Sequence, residues 1–133
     1  MKYLIDTHIL IWLAVSPEKI PQSILDIIVN SDNEITVSTV SLWEIAIKQS
    51  VGKLDLNGLE ISDLEQMCNE QNIRIVQLPV SAIKQYKRLP LKENHRDPFD
   101  RALISLCISD NYTFLSVDTK LAQYKSDRLS FIS

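Results

Sequence analysis

Short apolar runs alternate with longer stretches whose apolar residues recur every three or four positions, and the two periods divide the chain into elements. Tyr3-Leu4-Ile5 is an apolar run that stops at Asp6 and suits a buried strand. Residues 21–31 open with Pro21 and carry apolar side chains at 24, 25, 27, 28 and 29, which predicts a helix. Ile35 to Ser38 is short and β-branched, a second strand. Ser41 to Val51 predicts a helix, closed by Gly52 at C′. Residues 61–72 form the next, capped by Ser62 or its neighbours, with Ile61, Leu64, Met67 and Cys68 as the apolar stripe. Ile73 to Leu78 is a third strand, stopped by Pro79, and 80–88 a short helix before an irregular loop through Pro90. Asp97-Pro98 starts a helix running to about Ser109; Tyr112 to Val117 is a fourth strand, and Leu129 to Ile132 a candidate fifth.

Short apolar strands without a polar face, separated by helices, predict an α/β domain: a parallel sheet of four to five strands with helices on both sides. No linker or repeat interrupts the 133 residues, so one domain is expected from Met1 to Ser133. Sheets of this kind bind ligands beyond the carboxyl ends of their strands. Asp6, Ser38 and Asp118 stand at those ends, which makes them the first residues to question.

Composition narrows the chemistry mainly by exclusion. With two glycines, Gly52 and Gly58, neither a dinucleotide-binding G-x-G-x-x-G nor a P-loop can be written. Cys68 and Cys107 form no C-x-x-C, and His8 and His95 have no metal-ligand spacing, which argues against structural zinc. Two free thiols on helix faces fit a reducing cytosol, and a cytoplasmic protein is expected. No signal peptide or membrane span is legible: the apolar stretch Ile9 to Val15 is too short to cross a bilayer. The formal charge of −3 gives no general attraction to a polyanion.

The acids carry the sharper signal. Asp6 precedes a largely apolar stretch, His8 to Val15, where its ordinary role is the N-cap of a following helix. Asp118, in Leu115-Ser116-Val117-Asp118-Thr119, has the same ordinary reading. Two acids at neighbouring strand ends repel unless a cation lies between them. Glu44 shares with Ser41 and Lys48 the one polar stripe of an apolar helix; it either pairs with Lys48 in solvent or points into a cleft. In His95-Arg96-Asp97-Pro98-Phe99-Asp100-Arg101, Asp97 before Pro98 is a strong N-cap. Asp100 heads the stripe of Leu103, Ile104 and Cys107, so it is the better candidate to face the sheet's end.

Asp6, Glu44, Asp100 and Asp118, without a Cys or His cluster, amount to an all-oxygen site suited to Mg²⁺ or Mn²⁺. Such ions activate water and stabilise a leaving oxygen in phosphodiester hydrolysis. The hydroxyls of Thr7, Ser38 and Ser116 stand where they bond either the carboxylates or an ordinary turn or helix end.

These residues also carry a resemblance. Leu4-Ile5-Asp6-Thr7-His8, Ser41-Leu42-Trp43-Glu44-Ile45 with Gly52-Lys53-Leu54, the His95–Arg101 stretch and Leu115-Ser116-Val117-Asp118, in that order, resemble the PIN-domain ribonucleases, in particular the VapC-like toxins of prokaryotic toxin–antitoxin pairs. The variable middle, roughly 55–94, matches in pattern alone. The resemblance implies a four-acid metal site on Asp6, Glu44, Asp100 and Asp118, with Asp97 as a further acid that caps the helix or supports a ligand. It also implies a homodimer and an antitoxin peptide near the acidic cleft, and it makes an Mg²⁺- or Mn²⁺-dependent endoribonuclease the leading expectation. Residues 84–101 carry a net +3, leaving −6 elsewhere, so this loop either is an ordinary solvated one or tracks an RNA backbone beside the site. His95 and Arg96 are its candidates to contact substrate or support the acids, with His95 equally an ordinary surface residue. Two rivals remain: a receiver-type phosphoacceptor domain, which lacks here the paired acids and the lysine it needs, and a catalytically weak PIN-like module that only binds RNA or protein.

Overall fold

A computed structural model describes all residues, 1–133. Its centre is a five-stranded, wholly parallel sheet in the order β3-β2-β1-β4-β5. The strands are β1 (Lys2–Ile5), β2 (Glu34–Ser38), β3 (Arg74–Val76), β4 (Thr113–Leu115) and β5 (Ser130–Ile132). The helices are α1 (Thr7–Val15), α2 (Gln22–Val29), α3 (Thr39–Ser50), α4 (Ile61–Glu70), α5 (Val80–Arg88) and α6 (Pro98–Asp110), with 3₁₀ turns at Pro17–Lys19 and Leu121–Asp127. The order reverses direction between β1 and β4, which puts the topological switch point, and the crevice it opens, at the carboxyl ends of those two strands. A receiver-type sheet runs 2-1-3-4-5, so the strand order also removes that alternative.

Alternation along the strands feeds two cores. Leu4 and Phe114 point to the face covered by α5 and α6, packed with Leu103, Ile104 and Tyr124. Tyr3, Ile5 and Leu115 point to the other, against Ile9 and Leu10 of α1, Ile24 of α2 and Leu64 of α4. Helix α3 belongs to both, giving Val40 to the first core and Ile45 to the second. A sheet covered on both faces is why the strands show no polar side, as the sequence pattern implied.

Helix α1 is the element that periodicity alone does not mark, because its nine residues, THILIWLAV, are apolar nearly all round. Its start is nonetheless visible in Asp6, whose side chain caps it. Helix α3 begins at Thr39, two residues ahead of the expected Ser41, since Ser38 is its cap. It ends as expected, with Gly52 at φ 72° and Lys53 N–H bonded back to the Lys48 carbonyl at 2.9 Å. Helix α4 is capped by a reciprocal Glu60–Asp63 pair and not by Ser62. Strands three and four are shorter than their apolar runs: β4 stops at Leu115, Ser116 still donates its N–H to the Ile132 carbonyl of β5 at 3.1 Å, and Val117 and Asp118 then line the crevice.

Phe114 sits in the centre of β4 and is 2% exposed. Phe114→Ala should lower unfolding free energy by about 3–5 kcal/mol in urea titration, through lost transfer energy and the cavity left behind.

Candidate functional site

Four elements deliver acids to the carboxyl end of the sheet. Asp6 terminates β1 and caps α1, its Oδ1 accepting from the His8 N–H at 3.4 Å. Its other oxygen accepts from the Ser116 hydroxyl, which crosses from the end of β4. Asp118 follows β4 through a hydroxyl turn, in which its N–H donates to Ser116 Oγ at 3.1 Å. Its Oδ1 accepts from the Lys120 N–H at 2.9 Å. Asp100 lies in the first turn of α6, where the helix dipole favours an anion. Asp97 Oδ1 caps that helix, taking the N–H groups of Phe99 and Asp100 at 2.8 and 3.2 Å. Asp97 is therefore a cap, exposed and turned to its own helix.

Asp6, Asp100 and Asp118 line one cleft of about 320 Å³ with His8, Trp12, Val117 and Thr119. Neither a lysine nor an arginine pairs with any of the three. The consequence is electrostatic. Burial, then Asp97, Asp6, Glu44 and Asp118 in turn, push the Asp100 carboxyl up to about 7. Burial also raises Asp6, against the Ser116 hydrogen bond that favours its ionised form. Ligand atoms of Asp100, Asp118 and His95 lie within 4.8 Å of one another and Asp6 lines the same cleft, so the residues present suit a divalent cation such as Mg²⁺ or Mn²⁺.

Glu44 stands apart from this lining. It is buried, 2% exposed, so the solvent-facing pair considered for it does not describe its place. Its Oε1 accepts from Thr7 at 2.8 Å and its Oε2 from Lys48 Nζ at 2.7 Å, so the i,i+4 pair exists, but over a carboxylate turned inward. Thr7 Oγ1 also lies 2.9 Å from the buried Ser41 hydroxyl. Helix α3 thus buries Ser41 and Glu44 beside the core residues Val40 and Ile45, while Trp43 and, at its C-cap, Val51 are each 61% exposed. Of the hydroxyls, Thr7 and Ser116 bond carboxylates, whereas Ser38 caps α3 through the Val40 N–H at 3.0 Å.

His95, a candidate to support the acids or contact substrate, is not the ordinary surface residue that its loop also allowed: it is 5% exposed. Its Nε2 lies 2.8 Å from Asp118 Oδ2 and 3.7 Å from Asp100 Oδ2, and its Nδ1 lies 2.9 Å from the Tyr124 hydroxyl. Arg101, counted above among the basic residues, is buried as well. Its guanidinium donates to the Pro90 and Leu89 carbonyls at 2.9 and 3.0 Å and anchors the loop that carries His95. Lys92 is taken up by Asp127 at 3.9 Å. The exposed cations of this stretch are Lys84, Lys87, Arg88 and Arg96. The sequence reading missed Tyr124, His8 and Trp12 as neighbours of the site. For Arg101 a signal existed, since a cation in the first turn of a helix opposes the dipole unless it is engaged elsewhere.

The PIN domain family model matches residues 3–126. The chain belongs to the PIN domain family. Solved structures share this PIN fold from end to end. One is VapBC2 from Rickettsia felis bound to a DNA fragment from its promoter, with a TM-score of 0.67, 19% identity, and 99% of this chain and 98% of that one covered. Another is VapBC-1 from nontypeable Haemophilus influenzae, with a TM-score of 0.69, 17% identity, and 100% and 98% covered. A toxin–antitoxin complex from Klebsiella pneumoniae gives a TM-score of 0.62 at 14% identity, with 98% and 96% covered. No curated protein matches the sequence. In this PIN domain no helix is long and apolar enough to cross a membrane.

The pH dependence of stability follows from Asp100. Its carboxyl titrates from an ordinary 3.8 when unfolded to about 7 when folded. Between those values the folded chain holds a proton that the unfolded chain has lost, so stability falls as pH rises through the window and stays reduced above it. With chelator present, Asp100→Asn should reduce that slope, leaving the part contributed by the raised Asp6 carboxyl. At pH 8 it should stabilise the fold by roughly 1–2 kcal/mol in urea titration, the shift being discounted because one side of the carboxyl meets solvent. An unchanged slope between pH 4 and 7 would contradict the assignment.

Proposed function

We propose that this PIN domain is an Mg²⁺- or Mn²⁺-dependent endoribonuclease, the toxin of a toxin–antitoxin pair, acting in the cytoplasm on single-stranded or looped RNA. The observation that carries the reading is the convergence of Asp6, Asp100 and Asp118 on one crevice with no lysine or arginine paired to them. When bound there, a divalent cation supplies Lewis acidity toward the scissile phosphate and lowers the pKa of water.

The chain's own residues do the rest. Asp6 and Asp118 are held by donors behind them, Ser116 and the Lys120 N–H, which leave their remaining lone pairs for a ligand in the cleft. Asp100 faces them from the start of α6. Glu44 adds negative charge from behind, and it joins the ligand set only where Lys48, part-exposed on a long flexible stem, gives way. Trp12 and exposed His8 form an aromatic wall on which unstacked bases can rest, their ring centroids 6.3 Å apart. Arg96, Arg88 and Lys87 supply exposed positive charge for the phosphate backbone on an otherwise acidic chain.

The partner part of the proposal rests on α3. Trp43, Ile47 and Val51 recur every four residues on its outer face and are exposed, with the Trp43 ring set edge-on to Phe99 at 5.2 Å. An exposed apolar stripe on this outer face suits a helix covered there by another chain, an antitoxin segment or the second subunit of a homodimer.

The test uses purified protein, freed of any partner, on a mixed RNA pool, with sequencing of the ends produced. Cleavage should need Mg²⁺ or Mn²⁺ and disappear in excess EDTA. It should fall at least 100-fold in Asp6→Asn, which keeps the α1 cap and the fold. Undiminished cleavage in EDTA or in the variant would sink the mechanism. No cleavage by the wild type under any divalent ion would favour a module that binds without cutting.

A further inference from the structure

The geometry points to His95 as a positioning residue for Asp118, itself set by the Tyr124 hydroxyl, so that a Tyr124–His95–Asp118 chain of hydrogen bonds aims one carboxylate of the site from behind. The inference rests on the metal-dependent reading above and adds two residues to it. Each link has a distance: Tyr124 hydroxyl to His95 Nδ1 2.9 Å, and His95 Nε2 to Asp118 Oδ2 2.8 Å. The direction of donation follows from chemistry. An ionised carboxylate only accepts, so Nε2 carries a proton, and in the neutral imidazole Nδ1 is left as acceptor for the tyrosine O–H. Both inner members are buried, Tyr124 at 0% and His95 at 5% exposure, and both ring nitrogens are used.

The surroundings hold this chain in place. Tyr124 is packed in the core formed with α6. The 89–97 loop, which has no regular structure apart from a Lys92–His95 bridge, is fastened by Arg101 to its own Leu89 and Pro90 carbonyls. His95 and Tyr124 rings meet edge-on, with centroids 5.5 Å apart. Asp118 lies beyond the end of β4 on a turn, so without His95 its Oδ2 has no fixed partner, and only the Lys120 N–H on Oδ1 limits its rotation. Groups standing behind metal-binding carboxylates orient them and typically change metal affinity 10–100-fold when removed.

The experiment reads metal binding directly, without RNA. Mn²⁺ affinity is measured by calorimetry and by the EPR signal of free Mn²⁺ for the wild type, His95→Ala, His95→Gln and Tyr124→Phe, each first shown to unfold cooperatively. His95→Ala should bind Mn²⁺ about 10–100-fold more weakly. His95→Gln, which retains an N–H donor of similar reach, should recover to within roughly threefold of the wild type, since the donor to the carboxylate is the element that matters. Tyr124→Phe should weaken binding less than His95→Ala, in the same direction. Equal affinity in His95→Ala and the wild type overturns the proposal. So does a nitrogen coupling on bound Mn²⁺ in pulsed EPR that vanishes in His95→Gln, because the ring would then be a ligand and not a support. His95-dependent Mn²⁺ binding in a protein that cuts no RNA upholds the positioning role while refuting the nuclease reading. RNA cleavage with unaltered Mn²⁺ binding in His95→Ala does the reverse.

Discussion

The repulsion among carboxylates gathered at the switch point is the constraint around which the rest of the structure is arranged. Like charges a few ångströms apart, in a crevice with reduced water, destabilise the fold unless protons or a cation intervene. The effect is legible in Asp100, pushed up to about 7 by burial and by every acid around it. Holding such a set together requires that each carboxylate be fixed from its own side. Ser116 and the His8 N–H do this for Asp6, and the Lys120 N–H with His95 for Asp118. Asp100 is carried on the first turn of α6, with His95 Nε2 3.7 Å from its Oδ2. The two hydrophobic cores, one on each face of the sheet, supply the stability against which this strained end is maintained.

The stretch from His95 to Arg101 shows how closely site and scaffold are joined. Within seven residues it supplies a buried histidine on Asp118, a cap at Asp97, a proline at N1, a cleft carboxylate at Asp100 and an arginine that ties down the preceding loop. Asp97 and Asp100 are three residues apart and chemically alike, yet one turns back on its helix and the other faces the cleft. Helical geometry separates them: Asp100 lies on the face that continues through Leu103, Ile104 and Cys107.

Much of this was open to reading along the chain. The apolar runs placed β1 and β2, Asp6 and Asp118 marked the crevice end of the sheet, and α5 falls on residues 80–88 as expected. Strand ends were overrun at Tyr112–Val117 and Ile73–Leu78. Apolarity persists where the backbone has already left the ladder, as Val117 does when it lines the cleft beside Asp118. His95 stayed open between roles for a related reason: a histidine in a polar, irregular loop looks solvated, and only its long-range partners, 23 and 29 residues away, bury it.

The sequence by itself determined the local events: which runs become strands, where helices are capped, and that acids stand at Asp6, Asp100 and Asp118. Those are settled by side-chain periodicity and by hydrogen bonds between residues a few positions apart. Tertiary structure decided which of those acids meet. Pairing β1 with β4 brings Ser116 onto Asp6 across 110 residues. Packing α3 with its polar stripe inward buries Glu44 under Thr7 and Lys48. Folding the 3₁₀ turn at Leu121–Asp127 against α6 puts Tyr124 behind His95. Each of these is a contact between distant segments, whose energy depends on strand order and burial, and no local pattern of residues encodes it.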